Sequence, residues 1–295
     1  MENIIYNLHK TPRSFLTYFR IFGGVLYSQE RRKKREANVS ARREGAVLSS
    51  RFYSAFCKIC DIEETDNLNP IYPATIVYPY MMHILSSRHF PFSVVSILNI
   101  RTTIAIGTLP AVGDLFDTVS EVSELRQRKK GVEVDITSSI YSDNKPMLHV
   151  VTTYLAREAF IPGTVSNGEF KSLKSEDNAK DIAQWYLPAK NRWLFGKICG
   201  DTNGIHKAAW YARLFGFKRD FAQPLRVLAK CMDSLSLRED SFPMKITYDL
   251  KGPVYYNNTL YLKGNNTGDL RNFQLYCGDN PRPCICGVVE GPHLS

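Results

Sequence analysis

An acid, an amide and an imidazole fall within six residues of one another in the stretch Gly200-Asp201-Thr202-Asn203-Gly204-Ile205-His206. A carboxylate and an imidazole on one loop can divide a single proton-transfer task. The free groups titrate near ~3.9 and ~6.5. At neutral pH one is ionised and the other sits close to its titration point, a combination that can serve as base and acid on one water. Asn203 carries donors and acceptors and can hold the imidazole or a water. Gly200 and Gly204 punctuate the loop and admit backbone conformations that other residues resist. The same residues also suit a purely structural turn. Gly-Asp and Asn-Gly are turn dipeptides, and Asp201 can cap the turn or the helix that follows.

Elements on both sides must position this loop. Ala208, Tyr211, Ala212 and Phe215 recur at the spacing of one helix face, and Gly216 stands where such a helix would end. The whole stretch resembles the hydratase motif of MaoC-like dehydratases and (R)-specific enoyl-CoA hydratases, which reads Gly-Asp-x-Asn-Pro-x-His and runs into an alanine-containing helix ending in Gly-Phe. Gly200, Asp201, Asn203, Ile205, His206, Ala212, Gly216 and Phe217 match it, and Gly204 stands where the family has Pro.

The resemblance implies that Asp201 and His206 hold the catalytic water, with Asn203 and Gly200 supporting them. It implies syn addition of water to a trans-2-enoyl thioester, or the reverse, giving an (R)-3-hydroxyacyl thioester. The substrate would be carried on coenzyme A or an acyl carrier protein, and no cofactor or metal is implied. In that family the start of a second, apolar helix donates to the thioester oxygen. Here that start reads Phe221-Ala222-Gln223-Pro224-Leu225-Arg226, with Gln223 where His is common. Proline has no N–H to give, which leaves the backbone amides of Leu225 or Arg226. Arg192, Lys207, Arg213, Lys218 and Arg219 lie near the motif in sequence and are the candidates for contacts to coenzyme A phosphates. Two other readings share the fold: a non-catalytic acyl-thioester binder, and a thioesterase that attacks C1 rather than C3.

Composition narrows the setting. The chain has 295 residues, 44% hydrophobic and 23% charged, within the range of soluble globular proteins. No apolar run approaches the ~18 residues of a membrane span, and no secretory leader is evident. A cytoplasmic location is expected, or an organelle matrix if the N-terminal segment is a transit peptide. Stable membrane insertion is not expected. The net charge is +9, of which residues 1–50 supply +6, with an unbroken basic run from Arg31 to Arg35. Such a segment is a solvated arm or a contact to an anionic partner. Nucleic acid is not expected, since no reader motif accompanies the charge. The seven cysteines are an odd number. Cys57-Lys-Ile-Cys60 and Cys284-Ile-Cys286 could in principle share a zinc, but buried thiols in a reducing compartment suit them better.

In chain order the pattern occurs twice. Residues 1–45 read as a basic, amphipathic helical segment. Residues 46–157 hold an apolar helix over Tyr72 to Ser86, interrupted by Pro79, and then strands: Ser93 to Ala105, a long bulged strand over Asp114 to Arg128, Val132 to Ile140, and Leu148 to Tyr154. Residues 158–188 are polar and turn-rich and read as a connection. Residues 189–295 carry the motif, an apolar helix over Pro224 to Leu235, and further strands. An apolar helix followed by long antiparallel strands is an α+β pattern. It resembles the double hot-dog form of the same family, with a degenerate first half that supplies walls for the acyl chain and one active site in the second. Two hot dogs in one chain leave both monomer and homodimer open.

Overall fold

Two buried helices and the strands that wrap them make up the computed structural model, which describes residues 4–12, 39–65, 67–157, 159, 170–235, 237, 242–267 and 270–291. The first half runs β1 (Ile4–Asn7), β2 (Val39–Val47), α1 (Ser50–Cys60), α2 (Tyr72–Leu85), β3 (Ile97–Ile106), β4 (Leu115–Arg128), β5 (Gly131–Ser142) and β6 (Lys145–Arg157). The second runs β7 (Lys180–Leu187), α3 (Arg192–Ile198), a 3-10 turn (Gly204–His206), α4 (Ala209–Leu214), α5 (Pro224–Ser234), β8 (Met244–Leu250), β9 (Asn258–Thr267), β10 (Leu270–Cys277) and β11 (Ile285–Glu290).

Among the described residues all strands join one 11-stranded sheet in the order β1-β2-β4-β5-β6-β3-β8-β11-β10-β9-β7. Apart from β1, the order is one permutation used twice and reflected about the middle. In each half the strand before the helix lies at the outer end, and the strand after the helix lies at the centre. The two central strands pair antiparallel, from Arg101↔Asp249 to Ile106↔Met244. This is the double hot-dog arrangement expected from the sequence.

Side-chain periodicity explains the wrapping. β5 turns Val132, Val134 and Ile136 inward, where they meet Tyr80, Met81 and Ile84 of α2. Helix α2 starts at Tyr72 with Pro73 in its first turn and continues through Pro79. Pro79 therefore lies inside the helix and does not begin it. Leu225, Leu228 and Met232 of α5 share a second core with Val77 of α2, Ile104 of β3, Ile246 of β8 and Leu275 of β10. That core crosses the midline, so neither half completes its interior alone.

Three expectations are corrected. Residues 4–7 and 39–47 are strands, so the first sheet begins ahead of residue 46; residues 13–38, including the basic run, lie outside the described residues. β2 escaped notice because it carries Arg42, Arg43 and Glu44 and is bulged between Arg43 and Ala46. The stretch 158–188 is not wholly a connection: β7 occupies 180–187 and pairs with β9.

The part of the connection before β7 is tied down. Arg101 on β3 donates from Nε and Nη2 to the carboxylate of Asp249 on β8, at 2.7 and 3.0 Å. Asp249 also accepts from the Ser172 hydroxyl at 3.0 Å and the Leu173 N–H at 2.6 Å, and the Phe170 ring covers the guanidinium at 4.6 Å. Further on, Glu176 exchanges backbone bonds with the Gln274 amide and accepts from Asn265 and Asn272. The segment thus straps the seam between the halves. All seven cysteines are free, buried thiols, and Cys57 and Cys60 lie on α1 while Cys286 lies on β11. No helix among the described residues is long and apolar enough to cross a membrane.

Candidate active site

The loop that carries the acid and the imidazole spans α3 to α4 and is held from three sides. Gly200 takes φ +73°, in the left-handed region, and a Cβ there would lie 2.6 Å from Cγ of Pro79. The loop therefore packs directly on the helix of the other half. Asp201 Oδ1 accepts the Asn203 N–H at 3.1 Å, and Asn203 Oδ1 accepts the Ile205 N–H at 3.2 Å. The Asn203 carbonyl thus caps the 3-10 turn and does not hold the imidazole. At Gly204, a Cβ would lie 2.7 Å from Cδ1 of Tyr211. The departure from proline has a packing cause, since the Tyr211 ring fills the space that a proline ring would need.

Asp201 and His206 are 4% and 6% exposed. His206 Nδ1 lies 2.9 Å from the carbonyl oxygen of Phe221, which can only accept. Nδ1 therefore carries a proton, and Nε2 is directed to the carboxylate, 3.3 Å from Asp201 Oδ2. The ring is fixed further by edge contact with Phe221 at 4.8 Å between centroids. At this separation the two groups can share a proton. The region is dry. Burial first and the Asp201 charge second push up both the Cys199 thiol and the Tyr154 phenol.

Asp201 and His206 line a cavity of about 380 Å³ that runs into the first half. Ala74, Val77, Met81 and Leu85 of α2 form one wall, and Leu225 and Val254 of the second half form another. The first half supplies apolar walls to the cavity. Tyr154 also reaches the cavity from β6.

No family model matches the chain. The 3-hydroxyacyl-thioester dehydratase X of Mycobacterium tuberculosis is 24% identical over 199 residues, 67% of this chain and 69% of the relative. The crystal structure of HtdX from the same organism superposes with a TM-score of 0.70 at 19% identity, covering 86% of this chain and 100% of that one. A MaoC-like dehydratase from Phytophthora capsici superposes with a TM-score of 0.70 at 14% identity, covering 86% of this chain and 95% of that one. The chain has the MaoC-like double hot-dog fold.

Within that fold, α5 is the helix of the motif-bearing hot dog, and its start faces the cavity. Pro224 is its first residue, and the Arg226 N–H already donates to Gln223 O at 3.1 Å. This removes Arg226 as a free donor and leaves the Leu225 N–H, which no hydrogen bond takes up among the described residues. The Arg226 side chain is buried under Tyr256, with its guanidinium 5.6 Å from the ring centroid. Gln223 is buried as well. Its Nε2 donates to Asp201 O and its Oε1 accepts from the Tyr256 hydroxyl, both at 3.4 Å. Where the family has histidine, this hot dog ties its helix start to the backbone of Asp201.

The five basic candidates lie off the cavity wall. Arg192 and Arg219 both pair with buried Asp220, at 2.8 and 3.4 Å. Lys207 is buried with its ammonium 4.7 Å from the Trp193 ring centroid, and burial lowers its pKa. Arg213 donates to Lys218 O at 3.2 Å, and both side chains are exposed. The basic residues that line the cavity are instead Arg157, at the end of β6, and Lys251, just after β8; both are exposed and mark its mouth. No local sequence pattern marks them, because they stand at the ends of β6 and β8 and reach the cavity only through the tertiary fold.

Proposed function

We propose that the chain is a hydro-lyase that interconverts a trans-2-enoyl thioester and a 3-hydroxyacyl thioester. The observation that carries this reading is the Asp201–His206 pair, with the imidazole oriented by Phe221 O, at the wall of an acyl-sized cavity. The mycobacterial relative named as a 3-hydroxyacyl-thioester dehydratase supports it.

In the hydration direction Asp201 accepts a proton from water as its oxygen bonds to C3. His206 delivers the Nε2 proton to C2, and the electron pair of the double bond forms the new C–H bond. One H and one OH are added, leaving Asp201 protonated and His206 neutral. The Oδ2–Nε2 contact of 3.3 Å then returns the proton and restores the starting pair. Negative charge that develops on the thioester oxygen is met by the Leu225 N–H at the positive end of α5. Delivery of both atoms from one wall makes the addition syn, and the resemblance to (R)-specific hydratases makes the (R) alcohol the expected product. Arg157 and Lys251 at the mouth suit the phosphate of coenzyme A or of a carrier-linked pantetheine.

The test is the loss of enoyl absorbance with short and long trans-2-enoyl-CoA. Asp201→Asn and His206→Ala should each lower turnover by at least about 10²-fold, the scale of one proton-transfer role, with unchanged circular dichroism. Release of free thiol would instead mark a thioesterase. No reaction at any chain length would leave a binding protein.

A further inference from the structure

The two short helices that flank the catalytic loop present the same pattern outward. On α3, Trp193, Leu194 and Lys197 are exposed while Phe195 and Gly196 are buried. On α4, Trp210, Arg213 and Leu214 are exposed while Ala212 is buried. Phe215 follows directly. The apolar members are between 39% (Phe215) and 72% (Leu214) exposed, and none lines the cavity. Lys207, two residues ahead of α4, folds back on α3: its ammonium lies over Trp193, and its side chain passes 3.3 Å from the Cβ position of Gly196. From Pro188 to Arg219 the only acidic residue is Asp201, which is buried. Lys190, Lys197, Arg213 and Lys218 are exposed in the same stretch.

We propose that this face docks on an anionic lipid surface. Its occupant must be apolar and anionic at once over a broad area. An anionic bilayer interface offers both and demands no matching shape: indole rings settle at the headgroup level, leucine and phenylalanine reach the acyl boundary, and lysine and arginine meet the phosphates. A second copy of this chain fits poorly, because an isologous contact would set the same cations against each other. Phe215 lies two residues before Phe217, which lines the cavity, so docking places the acyl tunnel beside the lipid. The binding does not depend on the reaction assigned above.

Flotation of the full chain with phosphatidylcholine vesicles, with and without about 30% phosphatidylserine, tests the proposal. The expected result is roughly tenfold more bound protein on the anionic vesicles at about 0.1 M salt, falling as salt rises. Trp210→Ser with Leu214→Ser, and separately Lys190→Glu with Lys197→Glu, should each remove most of that binding with circular dichroism unchanged. Equal binding to both vesicle types overturns the proposal. So does binding that survives both double variants, which would move the attraction elsewhere, for instance to the basic run at Arg31–Arg35. A dimer in sedimentation that the Trp210/Leu214 variant disperses, with no vesicle binding by the parent, would give the face to a second copy and overturn it equally.

Discussion

At Gly204 the loop departs from the MaoC-like motif it resembles, and one neighbouring ring accounts for the departure. Glycine at this position does not take a positive φ, so its role is to leave space rather than to turn the chain. With Tyr211 Cδ1 2.7 Å from where a Cβ would stand, any larger residue must move the ring. Gly204→Pro should therefore cost about 1–3 kcal/mol, the range for overpacking, and lower turnover with it. The same change made together with Tyr211→Ala should recover part of the lost melting temperature, which a melting curve of the single and double variants would show. The residue types of the site were readable in the sequence because Asp201 and His206 share one loop. Gln223 could be noticed only as an oddity, since its use depends on Tyr256 and the Asp201 carbonyl arriving from elsewhere. Arg157 and Lys251 were invisible, because nothing local joins them to the motif.

Elements with strong periodicity were legible for a physical reason: they bury one face against the other layer. Helix α2, helix α5 and strand β5 are of this kind. Edge elements were not. β7 exposes Ile182 and Tyr186, and its pairing with β9 rather than its own pattern makes it a strand. β2, with charged residues in the middle and small buried residues at its ends, gives a similarly weak signal. Nor could the strap be read, because a polar, turn-rich segment looks the same whether solvated or bound. Its anchor, Asp249, is 1% exposed and satisfies Arg101, Ser172 and Leu173 together. Asp249→Ala strands a half-buried guanidinium and should cost about 3 kcal/mol, the low end for breaking a buried pair since Arg101 stays partly solvated. Urea denaturation would register it as a lower midpoint. An unchanged midpoint would mean that the strap lies on the seam without holding it.

For the whole molecule, the first half contributes shape to the site. Its helix α2 walls the cavity that ends at Asp201 and His206 in the second half. Val77 is buried on that wall, so Val77→Phe should lower kcat/KM for long-chain enoyl thioesters by about tenfold, in line with 1–3 kcal/mol for a methylene that no longer fits. The short-chain substrate should be little affected, and paired kinetics at two chain lengths would separate this from a general folding defect. The reflected strand order, with the two central strands paired at Arg101↔Asp249, has a consequence for how such a molecule can vary. In a ring of identical copies, every substitution is made twice, once beside the chemistry and once beside the substrate's tail. Here the two places are written by different stretches of chain. On the proposed function, the helix that walls the cavity can be lengthened, bent or roughened while the Asp201–His206 loop stays untouched, so the range of acyl groups accepted and the power to hydrate them would be free to change separately.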